Sequence, residues 1–215
     1  MTIDEKKKIL GEITKEIIAT GGGPLAGPGV NPVPGEGNPN ADILFIGEAP
    51  GFNENEQKRP FVGQAGKLLR KTLVENGFTE DEVFITNIVK FRPPENRDPT
   101  PEEIEFFRPQ LDKQIATIDP KIIVTLGRFS MYKFLGEGVS ISRIHGQART
   151  INWGGKSLTI FPMYHPAAAL RAGGVMSQFL EDFQKLRSFA DGKTNNDNGL
   201  RNLPIDPKME QLKLV

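Results

Sequence analysis

Apolar side chains recur along this chain at two spacings, and each spacing predicts a different element. In residues 3–18, Ile9, Ile13 and Ile17 fall four apart and line one face of an amphipathic helix. Ile43–Ile46, Val83–Val89, Lys121–Leu126 and Leu158–Met163 are short, nearly continuous apolar runs of the kind that form buried strands. Helical stretches separate them. Ala65–Asn76 carries Leu68, Leu69 and Leu73 on one stripe, and Arg128–Leu135 reads as a short helix. Thr100-Pro101-Glu102-Glu103 has the form of a helix start, with a hydroxyl cap, a proline in the first turn and a glutamate at the third position; that helix runs to about Ile118. Another helical region opens at Pro166 and ends near Ala190. Strands alternating with helices predict an α/β fold with a parallel sheet covered on both faces.

Two segments fall outside this pattern. Thr20–Pro39 is too dense in Gly and Pro for a regular element and reads as a long loop. From Gly192 onward Asn, Asp and Lys dominate, so a mobile tail is expected over 192–215, leaving 1–191 as one domain.

Composition narrows the chemistry. The 215 residues contain no cysteine, which excludes a thiolate nucleophile, a disulfide and a thiolate-held metal. Only His145 and His165 are present, too few for a histidine-rich metal site. Lys+Arg and Asp+Glu are both 27, so the chain does not coat DNA by bulk charge, although a local basic face is still allowed. No apolar run approaches the ~20 residues of a membrane span. Residues 1–8 have no apolar signal core, so a cytoplasmic location is expected.

In a parallel sheet, ligands bind at the carboxyl ends of the strands. Gly47–Gly51, Asn87–Arg92, Gly127-Arg128 and Tyr164-His165-Pro166 directly follow the strand runs, so four segments should converge on one edge. The Gly/Pro turn at 47–51 exposes backbone amides, with Glu48 and Glu54 close by; it reads either as part of a site or as a plain connection. Phe61, among glycines before a helix, is a flat face for stacking a base, worth ~1–3 kcal/mol, or a core ring. Asn87 ends a strand of Val, Ile and Thr. Its amide matches the N3–H donor and O4 acceptor of uracil and mismatches cytosine, unless it serves only the strand end. His165 can donate to an oxygen that gains negative charge, or can be structural. His145 lies in a loop with no evident orienting partner and reads as DNA-facing or structural. The prolines of Pro93–Pro99, after Lys90 and Arg92, stiffen a loop that either presses on a phosphate backbone or merely connects.

As a set, GEAPG with a glutamate three residues on, RPFVGQAG, TNIVKFRPPENRDPTPEE, VTLGR and MYHPAAAL resemble the family-four uracil-DNA glycosylases of bacteria and archaea over roughly residues 35–190. The resemblance implies a three-layer α/β/α fold around a four-stranded parallel sheet. It also implies that Glu48 positions or activates the attacking water, that Glu54 supports activity and that His165 steadies the departing uracil anion. Phe61 would stack on the flipped base, and Asn87 would read its edge. Ala49 and Gly51 would line the uracil pocket. Gly51 stands where the best-known uracil glycosylases carry a tyrosine that rejects thymine, so exclusion of the 5-methyl group must come from elsewhere. Pro94, Asn96, Arg97, His145, Gly146 and Ala167 would face the DNA.

One departure is large. The family holds a 4Fe–4S cluster on four cysteines, whose places here fall near Gly23 and Ala26 and at Phe91 and Phe107. All four thiols are lost together, so neither a cluster nor any other cofactor is expected, and the Gly/Pro loop should close by direct packing. The segment after the second strand lacks the histidine insertion through which one relative traps uracil-DNA covalently, so trapping is not expected either. The expected activity is hydrolysis of uracil from single- or double-stranded DNA by a monomer, leaving an abasic site. A non-catalytic damage-binding module and a Mg²⁺-dependent nucleotide hydrolase are the rival readings.

Overall fold

The structure is a computed structural model that describes residues 1–193. The expected tail beyond Lys193 lies outside the described residues. In chain order the elements are α1 (Ile3–Ala19), β1 (Glu36–Gly37), β2 (Ile43–Gly47), α2 (Phe52–Gln57), α3 (Gln64–Glu75), β3 (Val83–Asn87), α4 (Pro101–Ile118), β4 (Ile122–Leu126), α5 (Arg128–Leu135), α6 (Ile141–Ile144), β5 (Arg149–Trp153), β6 (Lys156–Met163), α7 (Pro166–Arg171) and α8 (Gly173–Ala190).

One sheet runs in the order β1-β3-β2-β4-β6-β5. The expected four-stranded parallel core is its centre, β3-β2-β4-β6. Two antiparallel edge strands, β1 and β5, extend it to six. Sequence periodicity shows neither. β1 is two residues inside the Gly/Pro loop, too short to display a period. β5 joins β6 through Gly154-Gly155, both at positive φ, a tight hairpin turn that the Gly-Gly pair signals locally.

Strand residues alternate between two cores. Leu44, Ile46, Phe84, Ile123 and Ile160 face α1 and α4, joining Ile13, Ile17, Leu111 and Ile115. Ile43, Phe45, Ile85, Val124 and Phe161 face α3 and α8, joining Leu69, Leu73, Phe179 and Phe183. The sheet is therefore buried on both sides, which explains why its strands read as continuous apolar runs. The Thr100 cap is as expected: Thr100 Oγ1 accepts from Glu103 N, and Glu103 accepts in return from Thr100 N at 2.8 Å. The helical region after Pro166 is broken at Ala172, whose extended backbone (φ −144°, ψ 119°) precedes Gly173-Gly174, a poor helix interior.

Candidate active site

β2 ends at Gly47, in register with Asn87 at the end of β3. The amides of Ile88 and Val89 then donate to the carbonyls of Gly47 and Glu48 at 3.1 and 3.2 Å, zipping the Gly47–Gly51 turn onto the residues that follow β3. Gly47 is a packing requirement. A Cβ there would lie 2.4 Å from both Asn87 Oδ1 and Phe61 Cζ, so any other residue would separate these two side chains. The Phe61 ring lies 5.8 Å from the His165 ring at 35°. Gly127, after β4, lies so close to His165 that a Cβ would come within 3.2 Å of the His165 Cβ. The four strand ends thus meet on one edge.

Asn87 is 1% exposed, and its Oδ1 is buried without a hydrogen-bond partner among the described residues. An orphaned buried carbonyl costs ~1–3 kcal/mol, so the fold keeps an acceptor in place at a loss to its own stability. Lys90 anchors Asn87 from behind. It is fully buried rather than facing phosphate, and its Nζ donates to Asn87 O (2.8 Å), Thr86 Oγ1 (2.8 Å) and Gln114 Oε1 (2.7 Å). Burial, with the charge of Lys133 added, pushes its pKa well down against the pull of Asp112. The sequence signal for it is a lysine inside the apolar run after β3.

His165 caps α7, and its Nδ1 accepts the Ala167 N–H at 3.1 Å. Burial, aided by the charge of Arg171 and opposed by Glu54, pushes the imidazole down to about 4. The ring is neutral near pH 7, and with Nδ1 accepting, its proton sits on Nε2.

Glu48 is half-buried. Burial and the charge of Asp98 push its carboxyl up to about 7, with Arg128 pulling the other way. Asp98 and Arg128 are themselves an ion pair that joins the proline loop to α5. Nothing local in the sequence places them beside Glu48.

Glu54 has both oxygens committed to backbone. Oε1 accepts from Val62 N (2.8 Å) and Gly63 N (2.7 Å), and Oε2 accepts from Gly51 N (3.2 Å). It ties the Gly51 turn to the Phe61 loop. Phe61 is 5% exposed and sits at φ +52°, a left-handed conformation that costs a non-glycine residue ~1–3 kcal/mol. Ala49 is half-buried and packed on the α4-side core, so it can offer a ligand only its main chain.

On the expected DNA side, Pro94–Asn96 form a single 3₁₀ turn, and Asn96 Oδ1 accepts from Arg92 Nε at 2.7 Å. Arg97 is held at 2.9 and 2.6 Å by the two oxygens of buried Glu103, so it stiffens the loop. His145 does have an orienting partner, contrary to the sequence reading: its Nδ1 lies 2.8 Å from Oδ2 of Asp182, which is fully buried. A Cβ on Gly146 would lie 2.1 Å from Asp182 Oδ1, so that pair needs glycine there. Asp182 shares the buried stripe of α8 with Phe179, Phe183 and Leu186, and a carboxylate on that apolar stripe is the one cue its sequence offers.

The same residues fall within a described family. A profile of the Uracil DNA glycosylase superfamily matches residues 34–187. The chain belongs to that superfamily. It is 50% identical over 165 residues to the type-4 uracil-DNA glycosylase of Sulfurisphaera tokodaii, covering 74% of this chain and 75% of the relative. It is 41% identical over 181 residues to that of Archaeoglobus fulgidus, covering 82% and 91%. To that of Thermotoga maritima it is 41% identical over 192 residues, covering 87% and 96%.

The four positions where the family resemblance places cluster cysteines hold other chemistry. Phe91 and Phe107 are 3% and 0% exposed, and their rings stack at 5.8 Å. Phe106 packs edge-on against Phe107 at 5.0 Å and covers Gly23, where a Cβ would lie 2.3 Å from its ring. Ala26 is exposed, while its neighbour Leu25 enters the core beside the two rings. Iron–sulphur clusters are held by thiolates, and here rings fill the space with no cysteine in the chain. These residues do not fit the cluster.

Proposed function

We propose that this chain is a monofunctional uracil-DNA glycosylase that hydrolyses the bond between uracil and deoxyribose and leaves an abasic site, the first step of base excision repair. The observation that carries the reading is the Oδ1 of Asn87, buried beside the Phe61 ring and unpaired among the described residues. Uracil presents N3–H and O4 to this amide, whereas cytosine presents N3 as an acceptor and a 4-amino donor. Cytosine would leave the amide facing the wrong partners.

In the proposed reaction the target base leaves the stack, at a cost of a few kcal/mol that is least for mismatched or single-stranded DNA. It stacks on Phe61 with its edge on Asn87. The C1′–N1 bond breaks toward an oxocarbenium ion, and its electron pair departs on uracil. Nε2–H of His165 donates to O2, where the negative charge collects. Glu48, with a carboxyl near 7, orients water and takes its proton as the oxygen bonds to C1′. Glu54 acts by fixing the two loops. Pro94, Asn96, His145 and Gly146 face the DNA backbone, with Arg97 bracing the loop and the Ala167 amide assigned to His165. Action as a monomer in the cytoplasm is part of this proposal. No helix among the described residues is long and apolar enough to cross a membrane.

Release of uracil from single- and double-stranded oligonucleotides tests the reading, with Asn87→Ala and His165→Ala beside the unaltered protein. Tight uracil-DNA binding without release would point instead to a damage-binding module, and release abolished by EDTA to a metal-dependent hydrolase.

A further inference from the structure

Phe61 holds a strained backbone, and two side chains of opposite charge take up the polar groups around it. Val62 N and Gly63 N donate to Glu54. On the other side, Arg70 Nε donates to Phe61 O at 3.0 Å and Arg70 Nη2 donates to Pro60 O at 2.9 Å. Arg70 Nη2 also donates to Glu36 Oε1 at 2.5 Å. Glu36 belongs to edge strand β1 and simultaneously accepts from Arg59 Nε (2.7 Å) and Nη2 (2.9 Å). The Phe61 main chain also lies flat on α3 at Gly66, where a Cβ would be 2.0 Å from Phe61 C.

We propose that Arg70 and Glu36 are positioning residues for uracil recognition: the guanidinium clamps the Pro60 and Phe61 carbonyls, Glu36 holds the guanidinium, and together they fix the stacking face of the Phe61 ring. The inference rests on the reading of Phe61 as the surface on which uracil stacks. The planar fork of Arg suits the task, since one group must reach two carbonyls and a carboxylate in fixed directions. A lysine ammonium on a flexible stem cannot hold that geometry. Without the clamp, a left-handed phenylalanine has a more favourable backbone region to relax into, and the ring would turn from the His165 side of the pocket.

The test is a double-mutant cycle on uracil release from a single-stranded oligonucleotide. Arg70→Gln should lower kcat/KM about tenfold through KM, and Arg70→Lys should not rescue it, as expected for a displaced binding group. Glu36→Gln should give a smaller loss of the same kind. In a Phe61→Ala background, Arg70→Gln should cost less than about twofold, because residues acting through one another are not additive. Affinity for the same oligonucleotide with thymine in place of uracil should not change in any variant, a readout that general loosening of the fold would move. Wild-type kinetics in Arg70→Gln, or an undiminished loss on top of Phe61→Ala, overturns the proposal. Should Arg70→Gln fail to fold at assay temperature, Glu36→Gln and Arg70→Lys carry the same cycle. An unchanged KM in Phe61→Ala alone would instead sink the stacking assignment.

Discussion

The backbone N–H of Ala167 donates to Nδ1 of His165 at 3.1 Å, and this bond decides which proton the imidazole has to give. Helix α7 begins at Pro166, so His165 stands at its N-cap, where backbone N–H groups point outward and disfavour a second positive charge. Burial, aided by the Arg171 charge, holds the ring neutral, and the Ala167 bond leaves the proton on Nε2, in a form that can steady an anion without first surrendering a proton to it.

His165→Ala is expected to lower kcat by about 10²–10³ with KM little changed, the loss typical of one donor to a developing anion. Stability gives an independent check. The folded pKa of about 4 lies below the ordinary 6.5, so the unfolded chain binds more protons between those values, and His165 makes stability fall as pH drops through that window. His165→Ala should flatten that part of the melting curve, measured by thermal unfolding at successive pH values.

Glu48 has the opposite sign. Its folded pKa of about 7 lies above the ordinary 4.5, so ionising it costs stability as pH rises from 4.5 to 7. Glu48→Gln should raise stability at pH 8 by about 1 kcal/mol, a figure discounted for its partial exposure, while nearly abolishing uracil release. For the same reason kcat/KM should climb through an acid limb near 7. Asp98→Asn removes a neighbouring negative charge and should move that limb to lower pH; an unmoved limb would assign it to another group.

Asn87→Leu removes a buried acceptor that has no partner among the described residues and replaces it with an apolar group of similar size. Melting should be unchanged or improved by up to ~1 kcal/mol, while uracil release falls at least about 100-fold. A large loss of stability would mean that the amide serves the fold.

The rings of Phe91 and Phe107 should behave as core. Phe107→Ala should cost ~3–5 kcal/mol, since Phe107 is fully buried between Phe91 and Phe106. Iron chelators should leave the melting midpoint of the unaltered protein unmoved. Iron in the purified protein, or a chelator-induced drop in melting, would contradict direct packing.

Asp182→Asn exchanges the carboxylate that holds His145 for an amide. Binding to uracil- and thymine-containing oligonucleotides should weaken equally, by roughly 1 kcal/mol, as expected for a contact to the backbone. A loss confined to uracil-DNA would move His145 into the base pocket.

Much of this was written locally. Continuous apolar runs at 43–46, 83–89, 121–126 and 158–163 determined buried parallel strands, because a sheet covered on both faces has no polar side to show. Thr100-Pro101-Glu102-Glu103 determined a helix start, and the residues following each strand marked the edge where Glu48, Asn87 and His165 lie. The absence of cysteine determined that no thiolate could hold a cluster. What required the tertiary structure are relations between residues distant in the chain: the Asp182 partner of His145, the Asp98 charge beside Glu48, the inward turn of Lys90, and the clamp from Glu36 through Arg70 to Phe61. Periodicity records which face of its own element a side chain occupies. Hydrogen bonds, desolvation and charge pairing depend on what another element brings to that face, and only the packed chain decides it.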